Sequence, residues 1–410
     1  MNKLRAQYIL SLTMSRPKKD LLIIASTFPR WKNDSLPTFV LDHAKSQAKF
    51  FDNTTVIAPH YKGSKTKDSI DGIRVRRFRY FFPASAENIA YEGTATSKIK
   101  KTPIYALKLL LYSFSQFISI LKNGRHKIVN AHWLIPQGFL AVLARPFNRS
   151  KVVVSVHGGD VFALNGRIMV MVKRFTLKHA DQVIVNSSAT QNACKQLYGG
   201  RVYPIIPMGV DIDRFKQARQ DHRKKRKFTV TFAGRLSSQK GVNDILSAAK
   251  RIRDDGVEDI RFNIAGEGPE KTKLTEYVNE NQLSGIVSFL GWVQPSDLPT
   301  LLKQSDIFIG PSVVTSDGWT EAFGLVFVEA AAAGLPVIST STGGIKDIVD
   351  DNKTGFLVDQ KSPDQLAEKI MLLKNNPELC TRMSKAAVNK SNEFSWVGTG
   401  NNYYKEFKRL

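Results

Sequence analysis

Short apolar runs alternate with longer stretches of helical periodicity through most of this 410-residue chain. In the first half such runs fall at 21–24, 55–58, 73–78, 128–130, 152–156 and 182–185, followed by another at 203–208. In the second half they fall at 228–232, 261–264, 287–290, 307–309, 337–339 and 355–358. This strand–helix–strand repetition predicts parallel sheets joined by crossover helices. A hydrophilic stretch at 216–227, ending in RKKRK, reads as a connection between the halves, with a nucleic-acid patch as its functional alternative. The expected fold is α/β, with two facing Rossmann-like, doubly wound domains and a cleft between them. Residues 1–205 form the first domain, 206–385 the second, and 386–410 a helical segment returning to the first. Ligands of such sheets bind beyond the C-terminal ends of the strands, so the cleft is the expected active site.

The most apolar long stretch, 102–121, contains Lys108 and several Ser and Gln residues. It is expected to be an amphipathic helix buried against a sheet, with a helix lying in a membrane interface as the alternative. The apolar run at 8–14 is short and interrupted, a poor signal peptide. Cys194 and Cys380 form neither a disulfide scaffold nor a metal-ligand spacing, which fits a reducing compartment. The expected location is the cytoplasm, peripheral on the inner face of the cell membrane.

Charge sharpens that expectation. Residues 1–205 carry 32 Lys and Arg against 10 Asp and Glu, whereas 206–410 carry 28 against 26. A basic first half attracts nucleic acid, anionic lipid or a phosphorylated substrate. No zinc finger, RNA-recognition motif or basic helix-turn-helix pattern accompanies the charge, so nucleic acid is not an expected partner. An anionic membrane surface and a pyrophosphate-linked acceptor are.

The chemistry concentrates in SDGWTEAFGLVFVEAAAAGLPV, residues 316–337. Glu321 and Glu329 stand eight positions apart, which is not a whole number of helical turns. The spacing suits Glu321 on a loop and Glu329 on the helix that follows, both facing one ligand. The turn between them offers backbone N–H groups to an anion. Carboxylates for sugar hydroxyls beside amides for phosphate suggest a nucleotide-sugar site.

Two further turns belong to the donor side of that reading. AGRLSSQKG (233–241) follows a strand, with Gly234 for a sharp turn and Arg235 and Lys240 to neutralise a diphosphate. AGEGPE (265–270) contributes Glu267. In the first half, VHGGD (156–160) places His157 at a strand end before two glycines, with Asp160 able to orient a neighbour or face the acceptor. Asp211-Ile212-Asp213 reads as a turn and helix cap rather than a metal site. No cofactor and no metal are expected, and no dinucleotide fingerprint or Walker motif appears.

Taken in order, these segments resemble glycosyltransferase family 4, the retaining group with the GT-B fold. The resemblance also takes in NAHW (130–133), VNSSAT (185–190), PMGVDIDRF (207–215), FLGWV (289–293) and STGGIKDIV (341–349), and it covers almost the whole chain. It implies that the second domain binds a nucleotide-diphosphate sugar, with UDP or GDP as its base. By that resemblance Arg235 and Lys240 hold the diphosphate, Glu321 contacts the donor sugar, and Glu329 binds the ribose. Phe323, Gly324 and Leu325 supply backbone near sugar and phosphates, and His157 lies beside the transferred sugar. The first domain would take a saccharide or polyprenyl-pyrophosphate-linked acceptor of envelope or extracellular polysaccharide synthesis. The segment from 394 onward resembles the family's return crossing. Two departures are visible: the first loop lacks the frequent Gly-Gly pair, and Ala322 stands where Gly is frequent.

The resemblance points to retention at the anomeric carbon. Double displacement needs a carboxylate at that carbon, and Asp160 and Glu321 are its candidates. Front-face attack, with the leaving diphosphate taking the acceptor proton, is the preferred expectation. The rival expectations are a nucleotide-sugar epimerase of the same fold and a catalytically silent membrane-associated subunit.

Overall fold

The computed structural model describes residues 20–34, 38–91, 98, 102–123, 126–216, 227–316 and 318–410. The apolar run at 8–14, parts of the first loop and residues 217–226 of the basic connection lie outside the described residues. The strands are β1 (Asp20–Ile24), β2 (Asn53–Pro59), β3 (Lys67–Ile70), β4 (Ile73–Phe78), β5 (Ile128–His132), β6 (Lys151–Val156) and β7 (Gln182–Val185) in the first domain. The second holds β8 (Phe228–Ala233), β9 (Ile260–Ala265), β10 (Val287–Gly291), β11 (Ile307–Gly310), β12 (Val337–Thr340) and β13 (Gly355–Val358). The helices of the first domain are α1 (Phe39–Ala48), α2 (Ile104–Asn123), α3 (Phe139–Asn148), α4 (Gly159–Phe162), α5 (Arg167–His179) and α6 (Ser188–Leu197). Then come α7 (Ile212–Lys216), α8 (Val242–Asp254), α9 (Lys271–Glu280), α10 (Leu298–Lys303), α11 (Leu325–Ala332), α12 (Pro363–Asn375), α13 (Pro377–Ser391) and α14 (Trp396–Lys408).

The first sheet has the order β3-β4-β2-β1-β5-β6-β7 and the second β10-β9-β8-β11-β12-β13. Every pairing is parallel except β3 with β4. Parallel strands covered by helices on both faces must be apolar on both faces. β5 and β11 are buried at every position, which is why such strands stand out as unbroken apolar runs. The antiparallel edge strand β3 escaped that signal: of KDSI only Ile70 is buried. The run at 203–208 forms no strand, only a single bridge from Ile205 to Val185. Pro204 and Pro207 remove two backbone donors from it, so a ladder cannot continue.

The last helix returns to the first domain. Tyr404 stacks on Phe50 at 4.5 Å, Tyr403 donates to Ser155, and Gln182 donates to Glu406 at 2.6 Å. The Ser395 hydroxyl caps α14 by accepting the N–H of Gly398.

Helix α2 forms where the apolar stretch predicted one and packs on the sheet through Tyr112, Ile120, Leu109 and Phe117, but its outer face is apolar as well. Its inward positions are Lys108, Tyr112, Gln116 and Ile120, two of them fully polar. The Lys108 ammonium donates to the Ala86 carbonyl at 2.9 Å and sits 5.0 Å from the centre of the Phe81 ring. Ile104, Leu107, Leu110, Leu111 and Phe114 face outward and are exposed.

Candidate active site

The cleft is built from strand ends and helix starts. β8 runs into Gly234 and Arg235, and β9 into Gly266 and Glu267. The two turns are tied together, with Gly234 N–H donating to Ala265 and Leu236 N–H to Glu267, both at 3.0 Å. Gly324, at φ +93°, caps α11 from the left-handed region that glycine favours. A methyl there would stand 2.5 Å from the Phe327 ring. Leu325 and Val326, which begin α11, line the cleft, so the start of this helix is a natural anion seat.

A cavity of about 680 Å³ lies between the domains. Gly234, Arg235, Gly266, Leu325 and Glu329 share its wall with Asp211, Arg214 and Trp292 from the second half, and with Thr38 and Asp42 from the first. Arg235 is exposed and has no carboxylate in ion-pair range among the described residues. Asp211 accepts the N–H of Arg214 at 3.3 Å, so the predicted cap is present at the start of α7.

Glu321 lies on the loop and Glu329 on α11, the arrangement their spacing suggested. Burial pushes the Glu329 carboxyl up to about 7, and the nearby Arg214 opposes that only partly. A carboxyl held neutral by burial favours folding below its unfolded pKa of 4.5. That contribution is lost as pH rises from there through about 7. The site thus keeps a carboxylate that is costly to ionise, a cost that ligand hydroxyls donating to it would offset.

Lys240, Glu321 and His157 are not on the wall of that cavity. They sit around the seam where the domains meet. The Lys240 ammonium is hydrogen-bonded to Glu321 and lies 5.3 Å from the centre of the Trp319 ring. At the seam Gly158, at φ +107°, faces Ala322, and a methyl on Gly158 would stand 2.0 Å from the Ala322 Cβ. The Ala322 methyl therefore occupies room that Gly158 leaves. A second tie crosses the cleft nearby: Asp347 accepts both the N–H and the hydroxyl of Ser188, at 2.6 and 2.7 Å.

His157 is enclosed by aromatic rings. Phe39 and Trp133 meet it edge-on, and its Nε2 lies 3.0 Å from Nδ1 of His132. Burial holds its pKa down at about 4, so it is neutral at pH 7. Behind it His132 packs edge-on against His43, which touches Tyr403 of the returning helix. The returning helix thus supports the His157 side of the cleft. The NAHW segment carries no local signal of a role for His132, and no motif marks one for Asp347 or Arg214. Each acts across long sequence separations, where no local spacing signals a partner.

Three candidate residues sit differently from the rest. Asp160 is buried, and its oxygens accept the N–H groups of Leu134 at 2.5 Å, Gly158 at 2.9 Å and His157 at 3.2 Å. It fixes the loop under His157 and presents no oxygen to a sugar. Glu267, in the turn before α9, accepts from Lys271 at the start of that helix at 2.6 Å. Phe323 buries its ring against Phe394, leaving only backbone toward the cleft.

Comparison with known proteins agrees with this construction. Residues 36–214 match the family described as Glycosyltransferase Family 4, and residues 213–390 match Glycosyl transferases group 1. A GDP-mannose-dependent alpha-(1-6)-phosphatidylinositol monomannoside mannosyltransferase of Mycobacterium tuberculosis is 33% identical over 248 residues, 57% of this chain and 63% of that protein. A D-inositol 3-phosphate glycosyltransferase of Corynebacterium jeikeium is 30% identical over 249 residues, 57% of this chain and 58% of that protein. The matched stretches thus span less than two thirds of these relatives. Among solved structures, HepE of Anabaena in complex with UDP and glucose superposes with a TM-score of 0.70 at 20% identity, covering 96% of this chain and all of that one. Sucrose-phosphate synthase of Thermosynechococcus elongatus gives 0.75 at 18% identity, covering 96% and 99%. At these identities the likeness is one of fold, the GT-B arrangement of two facing domains.

Proposed function

The chain belongs to glycosyltransferase family 4, and we propose that it moves a sugar, with retention, from a nucleotide-diphosphate sugar to a saccharide or lipid-linked saccharide acceptor in envelope glycan synthesis. The observation that carries this reading is one cavity wall shared by Arg235, the start of α11 and Glu329, with Lys240 and Glu321 paired on the approach to that helix. A diphosphate seated at that helix start meets two cations without leaving the reach of a sugar-binding carboxylate. Glu329, deeper in the cavity, accepts the ribose hydroxyls. The names of the relatives support a nucleotide sugar as donor: one is GDP-mannose-dependent, and HepE was solved with UDP. The relatives' names include both bases, and the cytoplasm is where such donors would be met.

The preferred course is front-face attack. The bond from the anomeric carbon to the diphosphate oxygen breaks, the acceptor oxygen bonds to the same face, and its proton passes to the departing diphosphate. Arg235, Lys240 and the α11 amides stabilise the leaving charge. Asp160 is not a nucleophile in this scheme, because backbone amides occupy its oxygens. Neutral His157 donates to or accepts from the sugar without carrying charge into the site. No metal takes part in these steps.

The test is to supply UDP-, GDP- and ADP-sugars with candidate saccharide acceptors and follow free nucleoside diphosphate together with the anomeric configuration of the product by NMR. Acceptor-dependent release with the donor's configuration kept is the expected result. An inverted product would overturn retention. Sugar interconversion without acceptor would replace transfer by epimerisation.

A further inference from the structure

Helices α2, α3 and α5 lie side by side over one face of the first sheet. Their outer surface is the reverse of what water favours. Leu110 and Phe114 on α2, Phe147 on α3, and Ile168 and Met171 on α5 are between 64% and 72% exposed. Meanwhile α2 turns Lys108 and Gln116 inward. An apolar face spread over three neighbouring helices marks a surface that something else covers.

Charge identifies the occupant. Residues 98–180, which contain all three helices, carry fourteen Lys and Arg and a single acidic residue, Asp160. Asp160 is buried in its loop, so no exposed carboxylate interrupts the face. Lys122 closes α2, and Lys178 stands in the last turn of α5. Between α3 and α5, Arg149 shares a recess of about 460 Å³ with Phe175, beside Arg145 and Lys151, both held by Asp181. Exposed leucines and aromatics rimmed by an excess of cations, two of them sharing Asp181, match a bilayer interface with anionic headgroups, which takes up both. A second copy of the chain would bring the same cations face to face and repel.

We propose that the outer face of α2, α3 and α5 docks this protein on an anionic lipid bilayer. Helix α2 follows the C-terminal end of β4, and α5 follows the Gly158–Asp160 loop, so the docked face begins at the rim of the cleft. A lipid-linked acceptor, which rests on the proposed function, would then reach the site along the bilayer surface. The docking itself does not depend on that acceptor.

The test is flotation of the full chain with vesicles of phosphatidylcholine alone and of phosphatidylcholine mixed with phosphatidylglycerol. The wild type is expected to float with the mixed vesicles and to be largely released from them by high salt. Leu110→Ser, Phe114→Ser and Met171→Ser combined should weaken binding by roughly tenfold or more, with melting and nucleotide binding unchanged. Should that variant fold poorly, Arg149→Glu with Lys178→Glu makes the same demand through charge. Three results would overturn the proposal: wild type left in solution with both vesicles, a folded variant that floats like wild type, or self-association that the variant abolishes without any vesicle binding. Loss of nucleotide-sugar binding by the wild type would instead sink the donor site and leave the docking intact.

Discussion

Replacing Arg235 and Lys240 together by alanine is expected to lower kcat/KM by about a thousandfold or more, most of it in kcat. Preorganised cations aimed at developing charge each contribute on the order of 10²–10³ in rate when removed singly. The diphosphate gains charge as the sugar leaves, so the interaction strengthens in the transition state, and the loss appears in kcat rather than KM. Arg235 has no competing carboxylate among the described residues and is free for the ligand. Lys240 is already held by Glu321, so Lys240→Ala also leaves that carboxylate unpaired at the seam. The single variants should therefore differ: Arg235→Ala acts on the leaving group alone, and Lys240→Ala disturbs the donor-sugar carboxylate as well. Steady-state kinetics on the three variants measures this. Near-normal turnover in the double variant would reject the assigned role.

The second large effect is structural. Asp160→Ala is expected to destabilise the first domain by about 3–5 kcal/mol, because it strips a buried carboxylate from three backbone donors at once. Burial pushes the Asp160 carboxyl upward while those amide hydrogen bonds oppose it, the balance of an anion held by backbone. The amides of Leu134, Gly158 and His157 would be left without an acceptor, and His157 would lose its fixed place. A lowered urea midpoint together with lost activity is the predicted pair of results. Lost activity with unchanged stability would instead restore Asp160 as a chemical group at the anomeric carbon.

These two cases mark how far the sequence could be read. Arg235, Glu321 and Glu329 were legible because local punctuation carries them: a strand, a glycine turn and a helix start within a few residues. Glu321 on a loop and Glu329 on a helix followed from spacing alone. The strands were legible because a parallel sheet covered on both faces needs unbroken apolar runs. β3 was not, since an edge strand with one buried residue has no such run. The run at 203–208 misled because its apolar residues are real while its two prolines forbid a ladder. Asp160 announced itself as a carboxylate near two glycines, yet its partners include Leu134, 26 residues earlier. The tie between Ser188 and Asp347 spans 159 residues. Helix α2 packs on the sheet as its composition suggested, but its apolar outer face was not legible, because composition reports how apolar a helix is and not which side faces the core.

The central claim is that the cleft of the second domain is a nucleotide-sugar site centred on Glu329 and the start of α11. The most direct measurement is calorimetric titration of UDP-, GDP- and ADP-sugars into the wild type and into Glu329→Ala, at pH 8 and pH 6. The account predicts selective binding of one nucleotide by the wild type, weaker at pH 6 where the Glu329 carboxyl is neutral, and binding abolished in the variant. Binding that Glu329→Ala retains in full at both pH values would contradict it.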